Sequence, residues 1–178
     1  MTNYVEQFSM NPARVVVVLT PAILAVFALV AANLPVSVTG GLVPPPLLAL
    51  GVVYFWTLLR PDLVPPVLVL AIGLAEDFLS GGPPGLWAVG YLAAYAVTER
   101  QRDAFAGLSG WGVAIGFTAA MLTAAFSVYA VGSLVYWRLT PIQPLLVQCV
   151  VTVALYPVLA LLLGFVHRHV VGASRGDD

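Results

Sequence analysis

The sequence predicts an all-α integral membrane protein with six transmembrane helices and both termini in the cytoplasm. Three observations predict it. Apolar residues make up 61% of the 178-residue chain and charged residues only 8%, against roughly 45–50% and about 25% in soluble domains. The apolar residues lie in continuous runs, with none of the alternation of a membrane β-barrel, which favours helices. The arginines gather on one side of a chain that crosses six times. A mean hydropathy of +0.99 excludes a water-soluble fold, which needs more polar surface, and a disordered chain, which needs far less apolar content.

A hydrocarbon core about 30 Å thick asks for roughly 20 apolar residues per helix. Six runs approach that length, at 15–32, 42–59, 63–79, 84–97, 108–135 and 145–166. Arg14 precedes the first run, Arg60 follows the second, Arg100 and Arg102 follow the fourth, and Arg168 and Arg175 follow the sixth. Six crossings put all of these on one face and leave only Arg138 on the other, so the positive-inside rule makes that face cytoplasmic. Five crossings would divide them. The expected organisation is a cytoplasmic segment 1–13, one six-helix membrane domain over 14–169 and a cytoplasmic tail 170–178. Residues 1–13 carry Glu6 and no leading basic cluster, so no signal peptide is expected. The main cytoplasmic connections fall at 60–62 and 98–107, too short for a separate domain.

With 7 Arg, no Lys and 8 acidic residues, there is no basic face for nucleic acid. One cysteine, Cys149, makes no intramolecular disulfide and reads as a buried thiol. His167 and His169 are the only imidazoles, which leaves little for a histidine-rich metal centre or a protease-like triad. No cofactor is expected.

Most of the 14 prolines punctuate helix starts: Pro44, Pro45 and Pro46, then Pro65 and Pro66, Pro83 and Pro84, and Pro141 and Pro144. Proline suits a first turn, where its missing N–H costs nothing. Pro21 and Pro157 lie deeper and should bend their helices. Gly112, Gly116, Ala120 and Ala124 put small residues on one face of the fifth run, so a second helix, from this bundle or another protein, can approach closely. Tyr54, Phe55 and Trp56 sit toward the inner end of the second run. Trp56, Trp87, Trp111 and Trp137 all fall near run ends, where tryptophan anchors a helix at the interface.

The stretch from Gly73 to Gly85 carries the most information. Gly73 and Asp77 are four apart and share a helix face. Glu76 and Asp77 lie deep in the third run, where carboxylates are costly unless hydrated, paired or protonated. The Ser80-Gly81-Gly82-Pro83-Pro84-Gly85 run makes a turn whose free amides can bond a carboxylate. Asp77 is expected either to tie down that turn or to contact a partner or ligand, and Glu76 to face the interface. Neighbouring helical residues point about 100° apart, so the two do not converge for acid–base chemistry, and no nucleophile accompanies them. Asp77→Ala is expected to weaken folding or assembly more than Glu76→Ala.

The order of these features resembles the rod-shape-determining protein MreD family. The matching elements run from Pro44-Pro45-Pro46 through Tyr54-Phe55-Trp56 to Arg60-Pro61. They continue through Pro65-Pro66 and Gly73-Leu74 to Asp77, Leu79, Ser80, Gly81 and Gly85, with Tyr156-Pro157 and Arg168 near the C-terminus. Glu76 departs from the family, which usually has an apolar residue there, as does the absence of a strongly basic tail. The resemblance implies a non-catalytic, multi-pass protein of the bacterial inner membrane, part of the elongation machinery for lateral peptidoglycan synthesis and rod shape. It implies the bitopic protein MreC as direct partner. A RodA-type glycosyltransferase, a class B penicillin-binding protein transpeptidase and, indirectly, the actin-like MreB complete the assembly. The implied fold is like the S component of energy-coupling-factor transporters, so the alternative function is a small-molecule or lipid binding subunit. The residues singled out for partner binding or structure are Asp77, Gly73, Gly81, Gly85, Arg60, Pro61, Tyr54, Trp56 and Pro157.

Overall fold

A computed structural model describes residues 12–34, 44–105 and 111–171. These form six α-helices, with no strand among the described residues: α1 (Pro12–Asn33), α2 (Leu48–Leu59), α3 (Pro66–Ser80), α4 (Leu86–Phe105), α5 (Trp111–Tyr136) and α6 (Ile142–Val166). A 3-10 turn at Pro61–Leu63 joins α2 to α3, and a π-helical turn at His167–Val171 ends α6. α5 and α6 are each long and apolar enough to cross a membrane.

Proline and glycine set most of the described boundaries. Pro44 to Pro46 lack amide donors, and the chain there stays non-helical, so α2 begins only at Leu48, later than the apolar run suggests. Pro65 holds extended backbone (φ −67°, ψ 151°) and Pro66 opens α3. Pro141 likewise caps α6. At the other end of α3, Gly81 takes the left-handed conformation (φ 67°), the usual glycine stop after a helix. The connection expected over 98–107 is mostly helix. α4 runs on through Thr98 to Phe105, because Glu99, Arg100, Gln101 and Arg102 are all compatible with helix once water faces them. α1 and α6 continue through Pro21 and Pro157.

α2 is the hub, with every residue from Ala49 to Leu58 buried. α1, α4 and α6 pack around it, while α3 packs on α4 and α5 on α4 and α6. Contacts between helices fix the relative directions. Leu47 N–H donates to Thr152 Oγ1 (3.0 Å) and Gln148 Nε2 to the Pro45 carbonyl (2.8 Å) at one end, while the Trp56 ring meets His167 at 5.5 Å at the other. α2 and α6 are therefore parallel. Asn33 at the end of α1 reaches Glu76 near the end of α3, so those two are parallel as well. Gly90 of α4 packs on Ala124 and Val128 of α5, and Gly132 faces Leu86, so α4 and α5 are antiparallel. Successive helices alternate in direction. Arg60, Arg100, Arg102 and Arg168 share one end of the bundle, and Arg138 lies at the other, with Glu76 and Asp77.

The small-residue face of α5 turns inward. Gly116, Ala120 and Ala124 are buried against α4, where Gly90 completes the close approach: a Cβ there would stand 2.8 Å from Val128 Cγ2 and 3.3 Å from the Ala124 carbonyl. The partner helix is thus in the same bundle. Hydroxyls within the helices bond back to carbonyls one turn earlier, as Thr57 to Val53, Thr98 to Ala94, Thr118 to Ala114, Thr123 to Ala119 and Ser127 to Thr123. Such bonds satisfy a polar group where no water is at hand. Cys149 is a buried free thiol.

Candidate functional site

The candidate site is the hairpin at the acidic end, where α3 turns into α4. The first amides of any helix have no partner inside it. In α4 they are met by a side chain from the preceding helix. Asp77 Oδ1 accepts from Trp87 N–H at 2.7 Å, and Asp77 Oδ2 from Gly85 N–H at 2.8 Å and Ala88 N–H at 3.3 Å. A carboxylate at a helix N-terminus also meets the positive end of the macrodipole. The carboxylate is buried, and its amide donors come from Gly85 and the start of α4, as the turn-binding expectation requires.

Glycine makes this geometry attainable. Gly73 lies one helical turn before Asp77, on the same face, against the backbone of α4. A Cβ at Gly73 would stand 2.5 Å from Ala88 Cα and 3.0 Å from Ala88 N. Gly85 turns the chain with φ 97°, a conformation that costs an L-residue about 1–2 kcal/mol. The structure thus brings Gly73, Asp77, Gly81 and Gly85 into one hairpin.

Glu76 does not face the interface, contrary to the sequence expectation: it is 1% exposed. The rotation of about 100° from Asp77 carries it toward Asn33 of α1 and Tyr91 of α4, while Phe78 and Leu79 take the outer face. Asn33 Nδ2 donates to Glu76 Oε1 (3.3 Å) and Tyr91 O–H to Oε2 (3.1 Å). Asn33 Nδ2 also donates to the Leu29 carbonyl. One carboxyl so links α1, α3 and α4. Asn33 and Tyr91 were not singled out from the sequence. The available signal was a lone amide side chain at the end of an apolar run. We expect Glu76→Gln to keep assembly and melting temperature near wild type, and Glu76→Ala to lower stability by about 1–3 kcal/mol by leaving the buried Tyr91 O–H unpaired and Asn33 with only its Leu29 bond. Thermal unfolding in detergent checks both, and this moves Glu76→Ala closer to Asp77→Ala than the sequence suggests.

The remaining candidates lie elsewhere. Tyr54 is a core residue between α5 and α6. Its O–H donates to the Val113 carbonyl (3.1 Å), and its ring meets Phe117 and Tyr156 edge-on at 5.4 and 5.6 Å. Phe117 and Tyr156 stack at 3.9 Å. Pro157, next to Tyr156, is exposed on α6. Trp56 is 0% exposed, so it is a packing residue and not an interfacial anchor. It fills the arginine end of the hub against Phe55 and His167. Trp87 is buried too, whereas Trp137, at the corner between α5 and α6, is 94% exposed.

Arg60 and Pro61 sit at the opposite end from Asp77. Pro61 opens the 3-10 turn, and Arg60 makes a two-pronged ion pair with Asp62, Nε to Oδ1 at 3.2 Å and Nη2 to Oδ2 at 3.1 Å. The hydrogen-bonded guanidinium holds the Asp62 carboxyl below its ordinary range and is itself raised. A depressed carboxyl contributes above its unfolded value, and the contribution disappears as pH falls through its folded value. Both side chains are well exposed, so Asp62→Asn should change stability by less than about 1 kcal/mol at neutral pH. The difference should begin to shrink in acid below about pH 4 and vanish once the pH is below the lowered folded value of Asp62, as read by melting curves across pH.

A cavity of about 300 Å³ opens at the acidic end between α4, α5 and α6, lined by Leu86, Trp87, Val128, Gly132, Tyr136 and Leu145 among others. No set of three metal-ligating side chains occurs among the described residues. Comparisons with protein-family models, curated proteins and solved structures give no match. The hairpin's chemistry therefore stands on its own geometry. Every carboxyl oxygen of Glu76 and Asp77 accepts a hydrogen bond from a neighbouring segment, and the two groups address different partners.

Proposed function

We propose that this chain is a non-catalytic membrane scaffold of the MreD type, with six crossings and both termini in the cytoplasm. In this reading it holds the transmembrane region of MreC and, with it, the RodA-type glycosyltransferase and the class B penicillin-binding protein transpeptidase of lateral wall synthesis. The observation that carries it is the use made of the polar groups. Asp77, Glu76, Gln148, Thr152 and Tyr54 all bond between helices or to connecting segments, which builds a firm bundle with wide apolar outer faces. Phe27, Val67, Phe78, Phe126, Val150 and Leu161 are each more than two-thirds exposed. Lipid and partner helices are the fitting neighbours for such faces. The alternation of the helices, with four of the arginines at one end, supports the six-crossing topology through the positive-inside rule.

The cavity between α4, α5 and α6 favours one second reading, a subunit that binds a small molecule or lipid. Its volume is at the lower limit of ligand pockets, about 300–1,000 Å³. One experiment separates the two. The protein is purified from its native membrane in mild detergent, and everything that accompanies it is identified by mass spectrometry. MreC and wall-synthesis enzymes in stoichiometric amount are the expected result. An ATPase-coupled transport module, or a tightly held small molecule in their place, would overturn the scaffold.

A further inference from the structure

The helices differ in the height of apolar surface they offer to a bilayer. α3 has 15 residues, about 22 Å at 1.5 Å per residue. Its exposed apolar stripe begins at Pro65 and Pro66, continues through Val67, Leu70 and Ala71 and ends at Phe78 and Leu79, a rise of about 21 Å. Polar features close both ends. Ser80, Gly81 and Gly82 are exposed in the turn, and at the other end Leu63 and Val64 are buried beside the exposed Arg60–Asp62 ion pair. α4 continues the hairpin with only twelve uncharged residues, 86–97, and Thr98 before Glu99 and Arg100, about 18 Å. On α6, by contrast, exposed apolar residues extend from Ile142 to Phe165, about 34 Å. The hydrocarbon core is about 30 Å thick, so α6 matches it while the α3–α4 hairpin falls short by some 8–12 Å.

We infer that the bilayer is locally thinned where it meets α3, so that the protein presents lipid with one face of ordinary height and one short face. The inference rests on the six-crossing reading, in which the hairpin turn must reach water. A short apolar stretch draws the surrounding lipid inward, and a turn in full-thickness hydrocarbon would instead expose its own backbone groups to lipid. The partner suited to the short face is a lipid with short acyl chains.

The test places a single cysteine at Gly82, in the full chain with Cys149 replaced by alanine, and a second at Leu139 in the α5–α6 corner as reference. A membrane-impermeant maleimide is added to either side of the membrane. The expected result is labelling of Gly82→Cys from the outer side at a rate within about threefold of Leu139→Cys. The protein without added cysteines, reconstituted in monounsaturated phosphatidylcholine vesicles, should melt several degrees higher with 14-carbon than with 20-carbon chains. A Gly82→Cys inert from both sides while Leu139→Cys reacts, or a melting temperature flat or rising with chain length, overturns the thinning. Labelling of Gly82→Cys from the cytoplasmic side overturns the six-crossing reading itself.

Discussion

Asp77→Ala should destabilise the bundle by about 3–5 kcal/mol, because it leaves several backbone amides without an acceptor at about 1–3 kcal/mol each. Three amides, of Gly85, Trp87 and Ala88, lose their acceptor together, and hydrogen bonds to charged groups contribute about 1.5–3 kcal/mol each. The effects do not add in full, because the amide nearest the turn can recruit water. Asp77→Asn should be intermediate: it keeps one acceptor oxygen but turns an NH2 group toward an amide donor. Unfolding in detergent, followed by tryptophan fluorescence, reads the loss, since Trp87 sits on the affected turn. An Asp77→Ala protein that melts with wild type would remove the capping role. One that melts with wild type yet no longer retains the proposed partner, MreC, would assign Asp77 to that contact instead.

Gly73→Ala should be nearly as damaging, and the reason is steric. The added methyl meets the α carbon of Ala88 at 2.5 Å and its nitrogen at 3.0 Å. Backbone cannot yield as a side chain can, so α3 and α4 must separate. Overpacking typically costs about 1–3 kcal/mol, and here the displaced Ala88 amide is one of the three that bond Asp77. Gly51→Ala is the matched control. Its nearest contact, at 2.6 Å, is the end of the flexible Leu159 side chain, which can change rotamer, so its cost should stay below about 1 kcal/mol. Equal melting temperatures for the two alanine variants would show that close backbone approach at Gly73 does not limit stability.

The parts of the hairpin that were legible in the sequence are those governed by local rules. Gly73 and Asp77 share a face by helical periodicity, and a Gly- and Pro-rich run after a helix must turn. The same rules placed six helices in order and the prolines at their starts. What the sequence did not disclose depends on which way a helix is rotated. Glu76 looked like an interfacial carboxylate because charge normally seeks water, yet its rotation directs it to Asn33 and Tyr91, more than ten residues away in the chain. Trp56 looked like an anchor because tryptophan favours helix ends in membranes, yet α2 is enclosed on all sides. In an all-apolar segment the hydrophobic pattern carries no information about which face is inside, since lipid and protein core accept the same side chains. The small-residue face of α5 was visible, but its complement, Gly90, was not, because one glycine in a helix says nothing about its partner.

The short sequence separation of the Asp77 bonds bears on how the protein is made. The donors lie only 8 to 11 residues downstream, so all the atoms of this cap have been synthesised once the first turn of α4 has been translated. Contacts of such low separation form early and carry little loop-closure entropy. On the proposed six-crossing reading, α3 and α4 are thus equipped to enter the bilayer as a joined pair, with the amides at the start of α4 occupied by a local partner. The bonds from residues 45 and 47 to residues 148 and 152, in contrast, must wait for nearly the whole chain. On that reading biogenesis divides into an early α3–α4 hairpin and a late step in which α6 closes the hub.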